Sequence, residues 1–284
     1  MEKQELTLKE IQSEMLNVVL KIDEICNCLN IKYSLAYGSL IGAIRHNGFI
    51  PWDDDLDIWM AREDLDKFVE YCKTHIEELY PYRLCDRSNT ENYSYNIPRF
   101  ANFDFEYINT DPHQAMFDIG IFVDIYPIEG YGETKKQSLN LAKKMVRMNN
   151  LYDIYINPNS RTSVINSFIK KIISKLLHII YKGKFWVILE RKYRQYVTKY
   201  ISPTCKYVGC VCWESKSPFL NERNDIFDEQ GHLKIIKHDF ECLNLNVLLN
   251  YDIVLKNQYG NYMELPPVEC RAPHHDYKIY KRFK

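Results

Sequence analysis

Several features that would assign the chain to a common class are missing from the sequence. No stretch of about 18 uninterrupted apolar residues is present, so a transmembrane helix is not expected. The first residues, MEKQELTLKEIQ, are charged and lack an apolar segment, so a cleaved secretion signal is not expected either. The protein is therefore predicted to be cytoplasmic, either free or peripheral on the inner face of the cell membrane.

An excess of charge of one sign is also missing. Lys and Arg total 37 and Asp and Glu total 38, so no general attraction to nucleic acid is predicted. The 9 cysteines are odd in number and scattered, which argues against a disulfide framework. Cys205, Cys210, Cys212 and Cys242 lack the paired knuckle spacing of a zinc site, so buried thiols are the favoured interpretation and zinc the alternative.

What is present is a chain of 284 residues with 46% hydrophobic and 14% aromatic residues, ample for a packed core. The patterning favours an α+β fold divided into three parts. Residues 1–133 read as the catalytic core, and residues 134–200 as a basic helical insertion. Residues 201–284 read as a C-terminal α/β extension that completes the core and the active-site cleft. The predicted elements that matter most for function are a helix capped by Thr7 and Glu10, a strand Tyr33–Tyr37, a helix running through Arg45, and strands Leu56–Met60 and Phe117–Tyr126.

The most informative segment is Gly38–Asp57. Gly38 and Ser39 lie between a strand and a helix, where backbone N–H groups favour a phosphate. On a strand, Asp55 and Asp57 would project to one face, and two such carboxylates can share a Mg²⁺ or Mn²⁺ ion. Asp124, on a separate apolar strand, is the candidate third ligand. This pattern predicts metal-dependent phosphoryl transfer.

Neighbouring residues complete the predicted site. Arg45 and His46 are expected to supply cationic or donor groups, and Trp52 with Pro51 to stiffen the approach to the carboxylates. A calcium loop counted from Asp53 fails at its glycine position, and a Walker A sequence is absent. A solvated acidic loop remains the ordinary alternative for such a run.

Three blocks of this sequence closely resemble the LicD family. They are Gly38–His46 with Gly48–Asp57, then Phe122–Pro127, and finally Tyr259–Met263 with Pro266, Pro267 and His275. The resemblance implies a nucleotidyltransferase-like mixed sheet flanked by helices. It also implies transfer of a phosphoryl-alcohol, most simply phosphocholine from CDP-choline, to a sugar hydroxyl of a bacterial cell-surface glycan precursor such as teichoic acid or lipopolysaccharide, with release of CMP.

By the same resemblance, Asp55 and Asp57 are metal ligands and Asp124 is the third carboxylate and a candidate base. Ser39 and Arg45 are phosphate contacts. A quaternary ammonium is usually held by aromatic faces. The aromatic candidates for this role are Tyr37, Trp52, Tyr93, Tyr95, Tyr126 and Trp213.

Residues 164–200 combine many lysines and arginines with long apolar side chains, and Glu190 is their only acid. The pattern fits an interfacial helix on anionic lipids, as a lipid-linked glycan acceptor would require, and equally a helix packed on the core. Two other functions stay open at this point. One is a nucleotidyltransferase that moves NMP to a small molecule, and the other is a non-catalytic membrane-associated scaffold.

Overall fold

The acidic residues lie on the central strands of a mixed β-sheet. The computed structural model describes residues 4–111, 117–159, 165–198, 205–212, 219–273 and 277–282. The strands within these ranges are β1 (Tyr33–Leu35), β2 (Asp57–Ala61), β3 (Tyr82–Cys85), β4 (Arg99–Asn102), β5 (Phe105–Asn109), β6 (Ile121–Gly132), β7 (Tyr207–Gly209), β8 (Asn221–Glu222), β9 (Ile235–Phe240), β10 (Leu243–Leu248) and β11 (Tyr277–Lys281). The main sheet has the order β1-β2-β6-β4-β3, with β7 paired to β6 and β8 to β7.

Helices surround this sheet. They are α1 (Leu8–Leu29), α2 (Tyr37–His46), α3 (Arg62–Thr74), α4 (Ile76–Leu79), α5 (Lys135–Ile156), α6 (Ser167–Tyr181), α7 (Phe185–Thr198), α8 (Arg223–Ile226) and α9 (Tyr251–Tyr259), with a short 3₁₀ turn at Val268–Cys270. The predicted capping box of α1 is confirmed, because Thr7 and Glu10 satisfy each other's backbone N–H groups. Asn30 ends this helix in the left-handed conformation (φ 53°), a geometry that asparagine tolerates well.

Strands β2 and β6 are parallel neighbours and are buried along their whole length. The predicted strand Phe117–Tyr126 is wrong at both ends, because β6 begins at Ile121 and continues to Gly132. Its second half pairs with β7, through Glu129 opposite Gly209. The partner segment lies 80 residues further along the chain, and such a pairing leaves no signal in the local sequence. The prediction, based on periodicity alone, therefore ended the strand too early.

The C-terminal segments pack into the same core as the N-terminal ones. Strand β11 pairs with β5, and β7 extends the main sheet. One buried apolar cluster contains Val18 of α1, Leu35 of β1, Val123 of β6, Val247 of β10 and Ile279 of β11. The result is a mixed α+β fold, and its likeness to nucleotidyltransferases in detail stays a prediction.

Candidate active site

The centre of the site is a pair of aspartates on adjacent parallel strands. Asp57 is the first residue of β2 and lies in register with Asp124 of β6. The backbone N–H of Asp124 donates to the carbonyl of Leu56 at 2.9 Å, which fixes the two strands at this level. Both aspartates are buried, with 6% and 5% of their surface exposed. Asp55 is half-buried and precedes the strand, whereas the sequence pattern predicted it on the strand.

The carboxylates around Asp57 make an unusually acidic environment. Burial raises the pKa of Asp57 well above its ordinary value, and the charges of Asp55, Asp124 and Asp53 raise it further. Among the described residues, the buried Oδ1 of Asp57 has no hydrogen-bond partner. A buried oxygen of this kind is costly unless something binds it, so the site is built to receive a proton or a cation.

Asp124 is held by a buried arginine that the sequence did not predict. Arg99 Nε donates to Asp124 Oδ1 at 2.5 Å and its Nη2 to Oδ2 at 3.2 Å. The guanidinium also lies 3.9 Å from the ring centres of both Tyr95 and Phe122. Burial by itself would lower the pKa of Arg99, but Asp124, Tyr93 and Tyr95 together outweigh it, and the pKa is raised well above its usual value. Asp124 is therefore a buried carboxylate that is already paired with a positive charge.

The fit to a divalent cation can be judged from these donors. In the described part of the chain, no group of three or more His, Cys, Asp or Glu side chains is arranged to hold a metal ion. Asp124 already receives two hydrogen bonds from Arg99, whereas Asp57 keeps a buried oxygen without a partner. Carboxylate oxygens are the ligands that Mg²⁺ prefers. Asp57 with the nearby Asp55 thus fits a cation as a two-carboxylate site, and Asp124 stands beside it as a paired third acid.

Helix α2 begins next to these carboxylates. Its N-cap, Ala36, offers no side-chain hydrogen bond to the first turn, and no acidic residue lies there. Tyr37, the first helical residue, has φ 47°, a strained value for a residue other than glycine. The sequence predicted the turn at Gly38-Ser39, but both residues lie within the first helical turn. The backbone N–H groups of this turn have no side-chain cap, and the predicted phosphate site there stays a prediction.

Ser39 and Gly38 tie α2 to the acidic residues. Ser39 is 1% exposed, and its Oγ accepts a hydrogen bond from the backbone N–H of Asp57 at 2.9 Å. A Cβ atom at Gly38 would lie 2.9 Å from Asp53 Oδ2, so a larger residue would push this carboxylate away. In the structure, both residues therefore position aspartates, and their predicted phosphate contacts stay predictions.

Arg45 and His46 lie at the other end of α2. Arg45 Nη1 donates to the backbone carbonyl of Tyr262 at 2.6 Å, and its Nε donates to His46 Nε2 at 3.0 Å. Burial and the adjacent Arg45 lower the pKa of His46, so the imidazole is neutral and accepts this bond. His46 thus orients Arg45 and does not supply a second positive charge. Arg45 fastens α2 to the segment that follows α9.

Aromatic side chains border the acidic cluster. The Tyr37 ring meets Tyr126 edge-on at 4.9 Å between centroids. Trp52 is half-buried, and the guanidinium of Arg271 lies 5.5 Å from its ring centre. Tyr259 is 42% exposed, and its pKa is raised by burial and by the negative charges of Asp57, Asp53 and Asp55.

The other predicted aromatic residues are placed differently. Tyr93 is 1% exposed and donates to the carbonyl of Ile97, so it belongs to the core. Tyr95 packs on Arg99. Trp213 and His275 lie outside the described residues.

Sequence reasoning missed Arg99 as a member of the site and gave Tyr259 no role. A signal for Arg99 existed, since it is a lone charge between Ile97 and the apolar residues of β4, and arginine is buried only when paired. No local signal placed Tyr259, because 202 residues separate it from Asp57 along the chain.

Among the thiols, Cys205, Cys210 and Cys212 are buried, and the sulfurs of the last two are 3.6 Å apart. Cys242 is exposed.

The site thus joins a buried acidic pair on a mixed sheet to a helix N-terminus that has no side-chain cap. Its class is given by comparison with known proteins. Residues 30–152 match the family model described as "LicD/FKTN/FKRP, nucleotidyltransferase domain". The chain is also 30% identical over 275 residues to the lipopolysaccharide cholinephosphotransferase LicD of Haemophilus influenzae, covering 97% of this chain and 98% of that protein. The chain therefore belongs to the LicD family.

Shorter similarities concern uncharacterized proteins. One from Rickettsia prowazekii is 30% identical over 99 residues, or 34% of each chain. Another from Rickettsia typhi is 44% identical over 52 residues, which cover 18% of this chain and 14% of that protein.

Proposed function

We propose that this protein transfers phosphocholine from CDP-choline to a sugar hydroxyl of a bacterial cell-surface glycan and releases CMP. The observation that carries the proposal is the position of Asp57 and Asp124 in register on parallel strands, beside the first turn of α2. Similarity to a cholinephosphotransferase over nearly the whole chain supports choline as the alcohol carried.

In the proposed reaction, the sugar hydroxyl oxygen forms a bond to the phosphorus that carries choline. The phosphoanhydride bond to CMP breaks, CMP leaves with that electron pair, and the hydroxyl proton passes to a carboxylate of the acidic cluster. The backbone N–H groups at the start of α2 would donate to the phosphate oxygens. When bound, Mg²⁺ or Mn²⁺ neutralises charge on the transferring group, and Asp57 and Asp55 would hold it.

Arg99 has a positioning role in this proposal. Its two hydrogen bonds to Asp124 set the orientation of that carboxylate and offset one negative charge next to Asp57. Arg99 partly counteracts the raised pKa of Asp57, so without it the two buried carboxylates would repel each other more strongly and the pKa of Asp57 would rise further.

Different observations support the identity of the transferred alcohol and the identity of the acceptor. A quaternary ammonium fits against aromatic rings close to carboxylates, and Tyr37 packs on Tyr126, which follows Asp124 by two residues on β6. For the acceptor, the Haemophilus influenzae relative is named for lipopolysaccharide. A lipid-linked precursor of lipopolysaccharide is therefore the first acceptor to test, and teichoic acid is the second.

The donor is tested first by thermal stabilisation. The full chain with Mg²⁺ or Mn²⁺ is titrated with CDP-choline, CDP-ethanolamine, CDP-glycerol and CDP-ribitol. CDP-choline is expected to raise the Tm most, because at equal concentration the ligand that binds the folded state most tightly stabilises it most. If another CDP-alcohol raises the Tm more, choline is not the transferred alcohol, although the proposed type of reaction is unaffected.

The chemistry is tested by product analysis with lipopolysaccharide or teichoic acid as acceptor. CMP release from CDP-choline that requires the acceptor, and that is lost in Asp57→Asn, is the expected result. The matched family model describes a nucleotidyltransferase domain, so CTP is the second substrate to test. Pyrophosphate release from CTP, without turnover of CDP-choline, would replace the proposal with NMP transfer. No turnover of either donor, with no metal binding, would favour the non-catalytic scaffold.

A further inference from the structure

Helix α6 shows its apolar side to solvent. Large side chains that would normally form a core are exposed on it, Phe168 by 70% and Ile179 by 62%. The exposed apolar residues of α6 are Phe168 70%, Ile169 49%, Ile172 46%, Leu176 51%, Ile179 62% and Ile180 64%. At about 100° per residue, they fall on one continuous side of the helix. An exposed apolar patch of this kind marks an interaction surface on a protein.

The opposite side of α6 attaches it to the rest of the molecule, and it is the more polar side. Ser174 Oγ donates to the backbone carbonyl of Tyr155 at 3.0 Å, and the His178 ring stacks on Tyr155 at 4.1 Å. Lys170 and Ser174 are buried there, with 4% and 8% exposed. The helix is thus anchored by its polar side, and its apolar side is left for a partner.

The adjacent helix α7 behaves in the opposite way. Phe185, Leu189, Tyr193 and Val197 are all buried, so α7 packs into the molecule like an ordinary core helix. From the sequence alone, residues 164–200 form one segment that fits either an interfacial helix on anionic lipids or a helix packed on the core. The structure divides them between the two helices: α7 packs on the core, and only α6 has the exposed apolar side. Residues 164, 199 and 200 lie outside the described part.

The charge near this surface is positive. Lys171 and Lys175 are exposed and follow Phe168 and Ile172 by three residues, so they line one edge of the apolar side. Lys182 and Lys184, just beyond the helix, are exposed as well. Between residues 165 and 189 the sequence contains no acidic residue. Apolar side chains bordered by lysines are complementary to a surface that combines acyl chains with anionic head groups.

We infer that the apolar side of α6 docks the protein on an anionic lipid membrane. No helix in the described ranges is long and apolar enough to cross a bilayer, so α6 would lie parallel to the membrane plane. Docking does not depend on the proposed phosphocholine transfer, because it requires neither donor nor metal. It would bring the enzyme to an acceptor carried on lipid.

The test is co-sedimentation of the full chain with vesicles of phosphatidylcholine alone or mixed with phosphatidylglycerol. Binding to the mixed vesicles is expected at about 0.1 M salt, with weaker binding at about 0.5 M, because salt screens the lysines. Phe168→Ser/Ile179→Ser is expected to weaken binding by at least about tenfold. Lys171→Gln/Lys175→Gln should weaken binding to the mixed vesicles by about fivefold for each lysine.

A matched control removes two exposed apolar side chains elsewhere. Ile253→Ser/Val268→Ser changes residues that are 52% and 73% exposed and should leave vesicle binding unchanged. All three double variants should keep the wild-type Tm and the wild-type response to CDP-choline, which separates failed docking from a failed donor site.

Two results would overturn the inference. One is absence of binding to phosphatidylglycerol vesicles by the wild-type chain. The other is a dimer in sedimentation velocity that Phe168→Ser/Ile179→Ser converts to monomer, because the apolar side would then be covered by a second copy.

Discussion

Replacing Arg99 by methionine removes the positive charge that is paired with Asp124 while it keeps a long apolar side chain. Arg99 is 3% exposed and Asp124 5%, so solvent cannot replace the lost guanidinium without rearrangement. Two hydrogen bonds, of 2.5 and 3.2 Å, disappear, and so does the stacking on Tyr95 and Phe122.

The expected loss can be estimated from the burial of the pair. Breaking a buried ion pair by removing one partner costs about 3 to 5 kcal/mol, because the other charge is left uncompensated. For a chain of this size the cost corresponds to a fall in Tm of roughly 6 to 10 °C. The double variant Arg99→Met/Asp124→Asn should recover part of this loss, since the amide needs no counter-charge.

The assay compares stability with activity. CMP release by Arg99→Met is expected to fall about 100-fold or more, because the charges in the site are no longer preorganised. Arg62 is the matched control, since it forms a second buried ion pair with β6, through Glu129, at the opposite end of β2. Arg62→Met should lose comparable stability but keep the specific activity of its folded fraction.

The reasoning fails if Arg99→Met loses less than about 1 kcal/mol, well below the usual cost of an uncompensated buried charge. It also fails if Arg62→Met and Arg99→Met lose activity equally, because Arg99 would then act only through overall stability.

Three further predictions concern the same end of the sheet. Burial and neighbouring carboxylates raise the pKa of Asp57, so its stabilising effect is present at low pH and is lost as the pH rises through the raised value. With a chelator present to remove metal ions, Asp57→Asn should therefore have a higher Tm than wild type at neutral pH and an equal Tm near pH 4. A lower Tm of the variant at pH 7 would contradict this. Ser39→Ala leaves the buried N–H of Asp57 unpaired, so it should lower the free energy of unfolding by about 1 to 3 kcal/mol and weaken the binding of CDP-choline. The control Ser34→Ala removes another buried hydroxyl and should leave CDP-choline binding unchanged. Gly42→Ala places a Cβ 2.5 Å from the carbonyl of Gly48 and should lower the Tm by displacing the loop before the acidic run; an unchanged Tm would mean that the loop yields freely.

Local features of the sequence predicted the elements nearest the site. The capping box at Thr7 and the left-handed residues Asn30 and Asn47 fix the ends of α1 and α2, because these are interactions among residues close in the chain. The strand Leu56–Met60 was within one residue at each end, since β2 spans Asp57–Ala61. Prediction failed where distant segments meet, as in the length of β6.

By itself, the sequence determined the chemical types present at the site. Closely spaced aspartates, a small-residue turn and the blocks that resemble the LicD family are all readable without coordinates. The tertiary structure decided how these groups are charged and which surfaces are open. It brought Arg99 to Asp124, made His46 a neutral acceptor, and turned the apolar side of α6 outward while α7 was buried. Burial and pairing depend on contacts between residues far apart in the chain, so they emerge only when the chain is folded.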